Sequence, residues 1–191
     1  MVRHADPKRR EAILRAARDV LLEQGYAETR LADIARKAGV AVGTLYLYFD
    51  SKEAMVRQLA IRMRRIIIVA VLPVLEHFTG QEDVAKIVKT VLALDEQHGD
   101  LLRILRLDAG LSISHPGPKG PPQGPIVQEF VQLLTAKMDQ GAIRRYEPLI
   151  LAQLLLGFFE WVLETSPLMG EQDMEHYEEN LVQWLGRALL P

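Results

Sequence analysis

The 191-residue sequence predicts an all-α fold of about nine helices, a small N-terminal three-helix domain followed by a larger helical body. Three observations predict it. Apolar residues recur at spacings of three and four along nearly the whole chain, the period of one helix face. Glycine and proline interrupt that period at helix-length intervals, and no stretch alternates as a strand would. Apolar residues make up 49% of the chain and charged residues 25%, a balance that can bury a core.

The elements follow in order. Asp6 and Pro7 suit the N-cap and first position of a helix. Ile13, Ala16, Ala17, Val20 and Leu21 form its apolar stripe, and Gly25 sits where a glycine would end it. Thr29 can cap a second helix from Arg30 to Ala38, with Leu31, Ile34 and Ala35 facing inward. Gly39 breaks the pattern. A third, short helix spans about Val42 to Leu47, and Phe49 closes the unit. Either Asp50, at capping-box spacing from Glu53, or Ser51 caps a fourth helix that runs toward Phe78 and is kinked or ended near Pro73. Further helices are expected at about 81–97, 99–111, 125–140, 147–165 and 172–189. Between two of them, residues 114–125 are Gly or Pro at eight of twelve positions and read as a loop. The expected domains are 1–50, continuing into the start of the fourth helix, and 51–191.

Composition excludes several classes of function. The absence of cysteine rules out disulfides, thiolate zinc sites and a cysteine nucleophile, and fits a reducing compartment. No apolar signal segment opens the sequence, so the expected location is cytoplasmic. The apolar run Ile66 to Leu75 contains Pro73 and falls well short of the about 20 residues that a bilayer requires. No membrane partner is expected. The net charge of −2 hides an asymmetry: residues 1–65 hold 14 Lys and Arg against 8 Asp and Glu, while the rest holds 9 against 17. A basic head on an acidic body suggests that only the head meets a polyanion. Lys8, Arg9 and Arg10 lie in a first helical turn, where the dipole disfavours cations. They are either a solvated basic arm or partners of an external phosphate.

Two short helices joined by a tight, glycine-containing turn are the helix-turn-helix plan, in which the second helix enters the major groove and the first crosses the backbone. Residues 30–38 and 42–47 fit that plan, and Ala35 is small enough to let the two axes approach. Within Gly25 to Met55, the elements Gly25-Tyr26, Thr29, Asp33-Ile34-Ala35, Ala38-Gly39-Val40, Gly43-Thr44-Leu45-Tyr46, Tyr48-Phe49 and Ser51-Lys52-Glu53 fall in order over about thirty residues. This stretch resembles the DNA-binding domain of the tetracycline-repressor (TetR) family, and the resemblance covers about residues 7–75.

The resemblance implies a DNA-binding head and a ligand-binding, dimerising body. It implies phosphate contacts from Thr29 and Arg30, and a close approach to the groove at Gly43 and Thr44. It implies phosphate bonds from the hydroxyls of Tyr46 and Tyr48, and a phosphate partner for Lys52 at the N-terminus of the fourth helix. The sequence departs from the family at Ala41 and Val42, where polar residues are usual. Ala41 has no side-chain cap to offer, and Val42 can instead meet a thymine methyl. The expected partners are a palindromic operator in double-stranded DNA, a second copy of the chain and a small hydrophobic effector.

The body supplies further candidates. The segment Leu149 to Leu163 is apolar nearly all round and must be covered on more than one side. Candidate dimer residues are Leu151, Leu155 and Phe159 there, with Tyr177, Leu181, Trp184 and Leu185 on the last helix. Candidate effector-lining residues are His77, His98, Leu102, Leu105, Phe130, Leu134, Met138 and Phe158. A competing enzyme reading rests on Asp95-x-x-His98 and Asp173-x-x-His176, a carboxylate and an imidazole on one helical face. The two further carboxylates of a helical di-metal site are not evident, and GPKGPPQGP lacks the spacing of a phosphate loop. No catalytic residue, metal or cofactor is therefore assigned.

Overall fold

The computed structural model describes residues 6–106 and 125–191, and the side chains of these except at 95–97, 100–106 and 171. It holds α1 (Pro7–Glu28), α2 (Leu31–Lys37), α3 (Val42–Tyr46), α4 (Lys52–Glu76), α5 (Gln81–Arg106), α6 (Pro125–Asp139), α7 (Pro148–Thr165) and α8 (Glu171–Leu189). A 3-10 turn, Ser166–Leu168, follows α7, and the described residues contain no strand. They divide into two compact units, 6–63 with 100–106, and 64–99 with 125–191. The division falls inside α4, further along the chain than the expected boundary at residue 50.

In the first unit, Ile13, Ala17 and Leu21 of α1 pack with Ile34, Leu45, Phe49 and Met55 in a core with almost no exposure. The Asp6 carboxylate accepts the Lys8 N–H at 2.9 Å, as an N-cap before Pro7 should. Gly25 breaks α1 sharply, at φ 77° and ψ 171°. The chain then turns into α2, and here the expected cap is corrected. The N-cap is Arg30, whose carbonyl accepts from Asp33 N and Ile34 N. Thr29 is buried, and its hydroxyl donates to the Gly25 carbonyl at 2.5 Å. The broken turn leaves that carbonyl in need of a partner, and Thr29 is the nearest donor. Of the two candidate caps for α4, Ser51 serves, its Oγ accepting Ala54 N at 3.1 Å.

The second unit corrects one helix boundary. The two helices expected at 81–97 and 99–111 are joined: α5 passes through Gly99 without a break as far as Arg106. A helical glycine costs about 1 kcal/mol relative to alanine, which ends a helix only where the chain also turns into the left-handed region. The loop expected at 114–125 lies outside the described residues except for Pro125. Pro73 sits inside α4, which ends three residues later at Glu76. Asp83 is buried in the first turn of α5. It accepts Lys86 Nζ at 2.8 Å, Thr79 N at 2.8 Å and Thr79 Oγ1 at 2.9 Å. The Lys86 ammonium, and then the two Thr79 donors, hold this carboxyl far below the usual range. Tyr146 OH donates to the Ala188 carbonyl and Arg144 N to the Leu189 carbonyl, both at 2.7 Å, tying the α6–α7 connection to the end of α8.

The backbone at Gly25 occupies a region that is essentially closed to residues with a Cβ, although the surrounding space is open. Gly25→Ala is therefore expected to lower stability by about 1–3 kcal/mol, read from denaturant unfolding. An unchanged midpoint would show that the chain reaches this turn in another way.

Candidate nucleic-acid interface

The reading head is assembled from the turn between α2 and α3. Ala38 N donates to the Ile34 carbonyl at 2.9 Å and Gly39 N to the Arg36 carbonyl at 3.2 Å. Gly39 then enters the left-handed region at φ 66°, and Val40 N returns to the Ala35 carbonyl at 3.0 Å. This closed turn sets the direction of α3. Ala41 is its N-cap without a side-chain bond, and the Ala41 carbonyl accepts Thr44 N at 2.9 Å. Leu45, fully buried, and Phe49 pin the inner side of the unit. The outer side presents Ala41, Val42, Gly43, Tyr46 and Leu47 to solvent. Thr44 and Tyr48 are half-buried at its flanks. Of the expected readers, Val42, Gly43 and Tyr46 therefore share an exposed surface, and Arg30 is exposed at the start of α2.

Two of the expected phosphate ligands turn inward in the free protein. The hydroxyl of Thr29 is committed to Gly25. Lys52 donates to the Tyr26 carbonyl and, at 3.0 Å, to the Thr29 carbonyl, and its ammonium lies 3.9 Å from the centre of the Tyr26 ring. The Tyr26 hydroxyl in turn donates to Glu53 at 2.6 Å. That bond, with a smaller contribution from Ser51, holds the Glu53 carboxyl down at about 2. The side chains of Tyr26, Lys52 and Glu53 form a latch between the end of α1 and the first turn of α4. Its sequence signal is the pairing of Gly25-Tyr26 with Lys52-Glu53, which periodicity does not connect.

The cations around the head are mostly engaged. Arg10 lies over the Phe49 ring at 4.9 Å, Arg36 pairs with Asp33 at 2.6 Å, Lys37 pairs with Glu23, and Arg62 pairs with Glu11 at 2.5 Å. Lys8 and Arg9 stand exposed in the first turn of α1.

In the body, Phe130, Leu134 and Met138 share the buried face of α6 at four-residue spacing. His98 is half-buried, whereas His77 is exposed beyond the end of α4 and does not join a buried set. The side chains of Leu102 and Leu105 lie outside the described residues. Phe158 belongs elsewhere than expected. Its ring stacks on Trp184 at 4.7 Å and on Trp161 at 6.4 Å, in an aromatic row that Tyr177 continues at 6.5 Å from Trp161.

The expected dimer residues are also redistributed. Leu151, Leu155, Phe159, Leu181 and Leu185 are buried within the chain and form its own core. Trp184 remains exposed and Tyr177 half-buried. The outward stripe of α7 is instead Ile150, Leu154, Gly157 and Trp161, at spacings of four, three and four. The cause is that α7 is apolar on both sides, so periodicity alone does not separate the inner stripe from the outer.

A short exposed helix held by a closed turn on a basic head defines the chain as a helix-turn-helix DNA-binding transcriptional regulator. Residues 13–59 match the model of bacterial regulatory proteins of the tetR family. The HTH-type transcriptional regulator YvdT of Bacillus subtilis is 28% identical over 191 residues, covering 94% of each chain. The fatty acid degradation regulator FadR of Bacillus halodurans has a similar fold, with a TM-score of 0.64 at 20% identity over 96% of this chain and 97% of that one. The regulator FadR of Bacillus subtilis, solved in complex with stearoyl-CoA, gives a TM-score of 0.60 at 20% identity over 92% and 97%. Residues 13–59 are thus similar to the DNA-binding segment of the tetR family, and the relative that matches along the full length is a transcriptional regulator.

Gly43 has no positive φ, and a Cβ there would meet nothing within 4 Å. Nothing in the free protein requires a glycine at this position. Gly43→Ala is expected to leave the fold as stable or firmer by up to about 1 kcal/mol. It should weaken operator binding in a fluorescence anisotropy titration. Unchanged affinity would remove Gly43 from the DNA contact.

Proposed function

We propose that the chain is a homodimeric, cytoplasmic repressor that reads a palindromic operator and leaves it when a small hydrophobic effector binds the body. The observation that carries this reading is the pair of surfaces left unpartnered, the outer side of α3 and the outer stripe of α7 with Trp184. Val42 and Gly43 face the groove, and Thr44, Tyr46, Tyr48 and Arg30 hold phosphates, which fixes register. Thr29 and Lys52 act one step back, by holding the turn that presents Arg30. Removal of counterions from phosphate by Lys8, Arg9 and Arg30 makes affinity fall steeply with salt.

Dimerisation follows from the body. Ile150, Leu154, Gly157, Trp161 and Trp184 are exposed on one chain, and a second copy related by a two-fold axis covers them with the same residues. The helical stretch Pro148–Leu168 is long and apolar enough to cross a membrane. Its inner stripe packs on its own unit, though, and the outer one suits a helical partner. Two heads then read two half-sites on one face of the duplex, which makes the operator palindromic. The buried row Phe130, Leu134 and Met138 supports a hydrophobic effector, and the stearoyl-CoA held by a protein of the same fold makes long acyl chains the first probes. The route to the head is α4, one continuous helix. Its Arg64 donates Nε to Glu160 of α7 at 2.6 Å, with both side chains more than four-fifths buried. An effector that favours another packing of the body shifts the population of DNA-competent heads by its differential affinity alone.

Selection of random duplex DNA on the purified protein at two salt concentrations tests the reading. A palindrome should be enriched, with binding lost as salt rises. Enrichment of nothing, or binding indifferent to salt, would end it. Leu154→Glu puts a charge into the covered stripe. It should give a folded monomer by analytical ultracentrifugation, with operator affinity reduced by at least a hundredfold. A variant that still sediments as a dimer would move the interface off α7.

A further inference from the structure

The assignment concerns what α3 is able to read, and it rests on the DNA-binding reading above. From Ala38 to Phe49 no side chain carries a charge or an amide. The only hydrogen-bonding side chains in that stretch are the hydroxyls of Thr44, Tyr46 and Tyr48. Recognition helices that discriminate guanine or adenine directly do so with bidentate Arg, Lys, Asn or Gln, and α3 has none to offer. Its exposed surface is apolar: Val42 is 39% exposed and Leu47 69%, flanked by Ala41 and Gly43. Tyr46, 52% exposed, lies one turn from Val42 on the same side, and both project away from the buried Leu45.

Only one base-pair feature in the major groove is complementary to an isopropyl group. It is the 5-methyl of thymine, since the C5–H of cytosine offers no comparable apolar volume and the other exposed edges present donors or acceptors that an apolar side chain would desolvate without return. Gly43 adds the close approach that such a contact needs, because a methyl and a valine touch only at van der Waals distance. We infer that α3 reads its half-site through thymine methyl groups, with Val42 as the residue that determines specificity. Bidentate purine readout is not available to this helix. The operator half-site therefore carries one or two thymines, opposite Val42, whose methyls and not merely whose base pairing are required.

The test replaces each thymine of the selected operator in turn by 2′-deoxyuridine, which deletes the methyl and keeps every hydrogen-bonding group. Affinities are measured by anisotropy for the intact chain and for Val42→Ala, which changes an exposed side chain and leaves the core untouched. The expected result is a loss of about fourfold at one or two positions per half-site, the factor that corresponds to burying one methyl-sized group. The same positions should respond less than twofold with Val42→Ala. Conversion of cytosine to 5-methylcytosine at a C-substituted position should recover part of the loss in the intact chain only. Uridine tolerated everywhere would overturn the assignment while leaving the regulator reading intact, and so would methyl sensitivity undiminished in Val42→Ala. A pool from which no site is enriched would overturn both.

Discussion

The geometry of the reading head depends on one ammonium group. When Gly25 breaks α1, the carbonyls of Tyr26 and Thr29 leave the helical ladder and face the start of α4. Lys52 satisfies both at once and stacks its charge on the Tyr26 ring, while the Tyr26 hydroxyl holds Glu53 on the same turn. The two carbonyls, the ammonium, the hydroxyl and the carboxylate are closed into one knot. The turn that follows carries Arg30 as the N-cap of α2, and α2 carries the glycine turn that aims α3. The pose of α3 against the first turn of α4 is thus fixed by side chains that face inward in the free protein. Lys52, the expected phosphate partner, is in the free protein a ligand of two backbone carbonyls.

Charge and shape are then divided between different parts of the head. The cations of the head lie on α1, α2 and α4, and four of them, Arg10, Arg36, Lys37 and Arg62, are tied to the Phe49 ring, Asp33, Glu23 and Glu11. The anchoring pairs are exposed and contribute little to stability, about 0–1 kcal/mol each. Their effect is to keep long side chains oriented. The helix meant for the groove is left without charge, so affinity and discrimination come from separate residues.

Much of this was legible in the sequence, for identifiable reasons. Helix existence and the helix-turn-helix followed from apolar spacing and from Gly25 and Gly39, because a helix face and a left-handed turn are local properties. What was not legible depends on contacts remote in sequence. Thr29 looked like a cap because threonine caps helices, but the Gly25 carbonyl competes for its hydroxyl. Lys52 looked like a surface cation because its carbonyl partners lie more than twenty residues away. Gly99 looked like a boundary because composition does not reveal whether a glycine turns. On α7 two apolar stripes share one helix, and the more regular stripe, containing Leu151, Leu155 and Phe159, proved to be the inner one.

Gly157 extends the argument made for the head to the body. It lies within α7, on the outward stripe between Leu154 and Trp161, with no positive φ and no atom near its missing Cβ. A glycine in such a place costs the helix up to about 1 kcal/mol relative to alanine, and nothing inside the chain returns it. Gly43 is in the same position on α3. Where the free chain carries an uncompensated glycine on an exposed helix face, compensation must come from a surface that approaches more closely than a Cβ would permit. On the reading proposed above, that surface is a groove of DNA for α3 and the backbone of a partner helix for α7, beside the Phe158–Trp184 stack. On that reading both helices carry a local loss of stability that an assembled complex offsets.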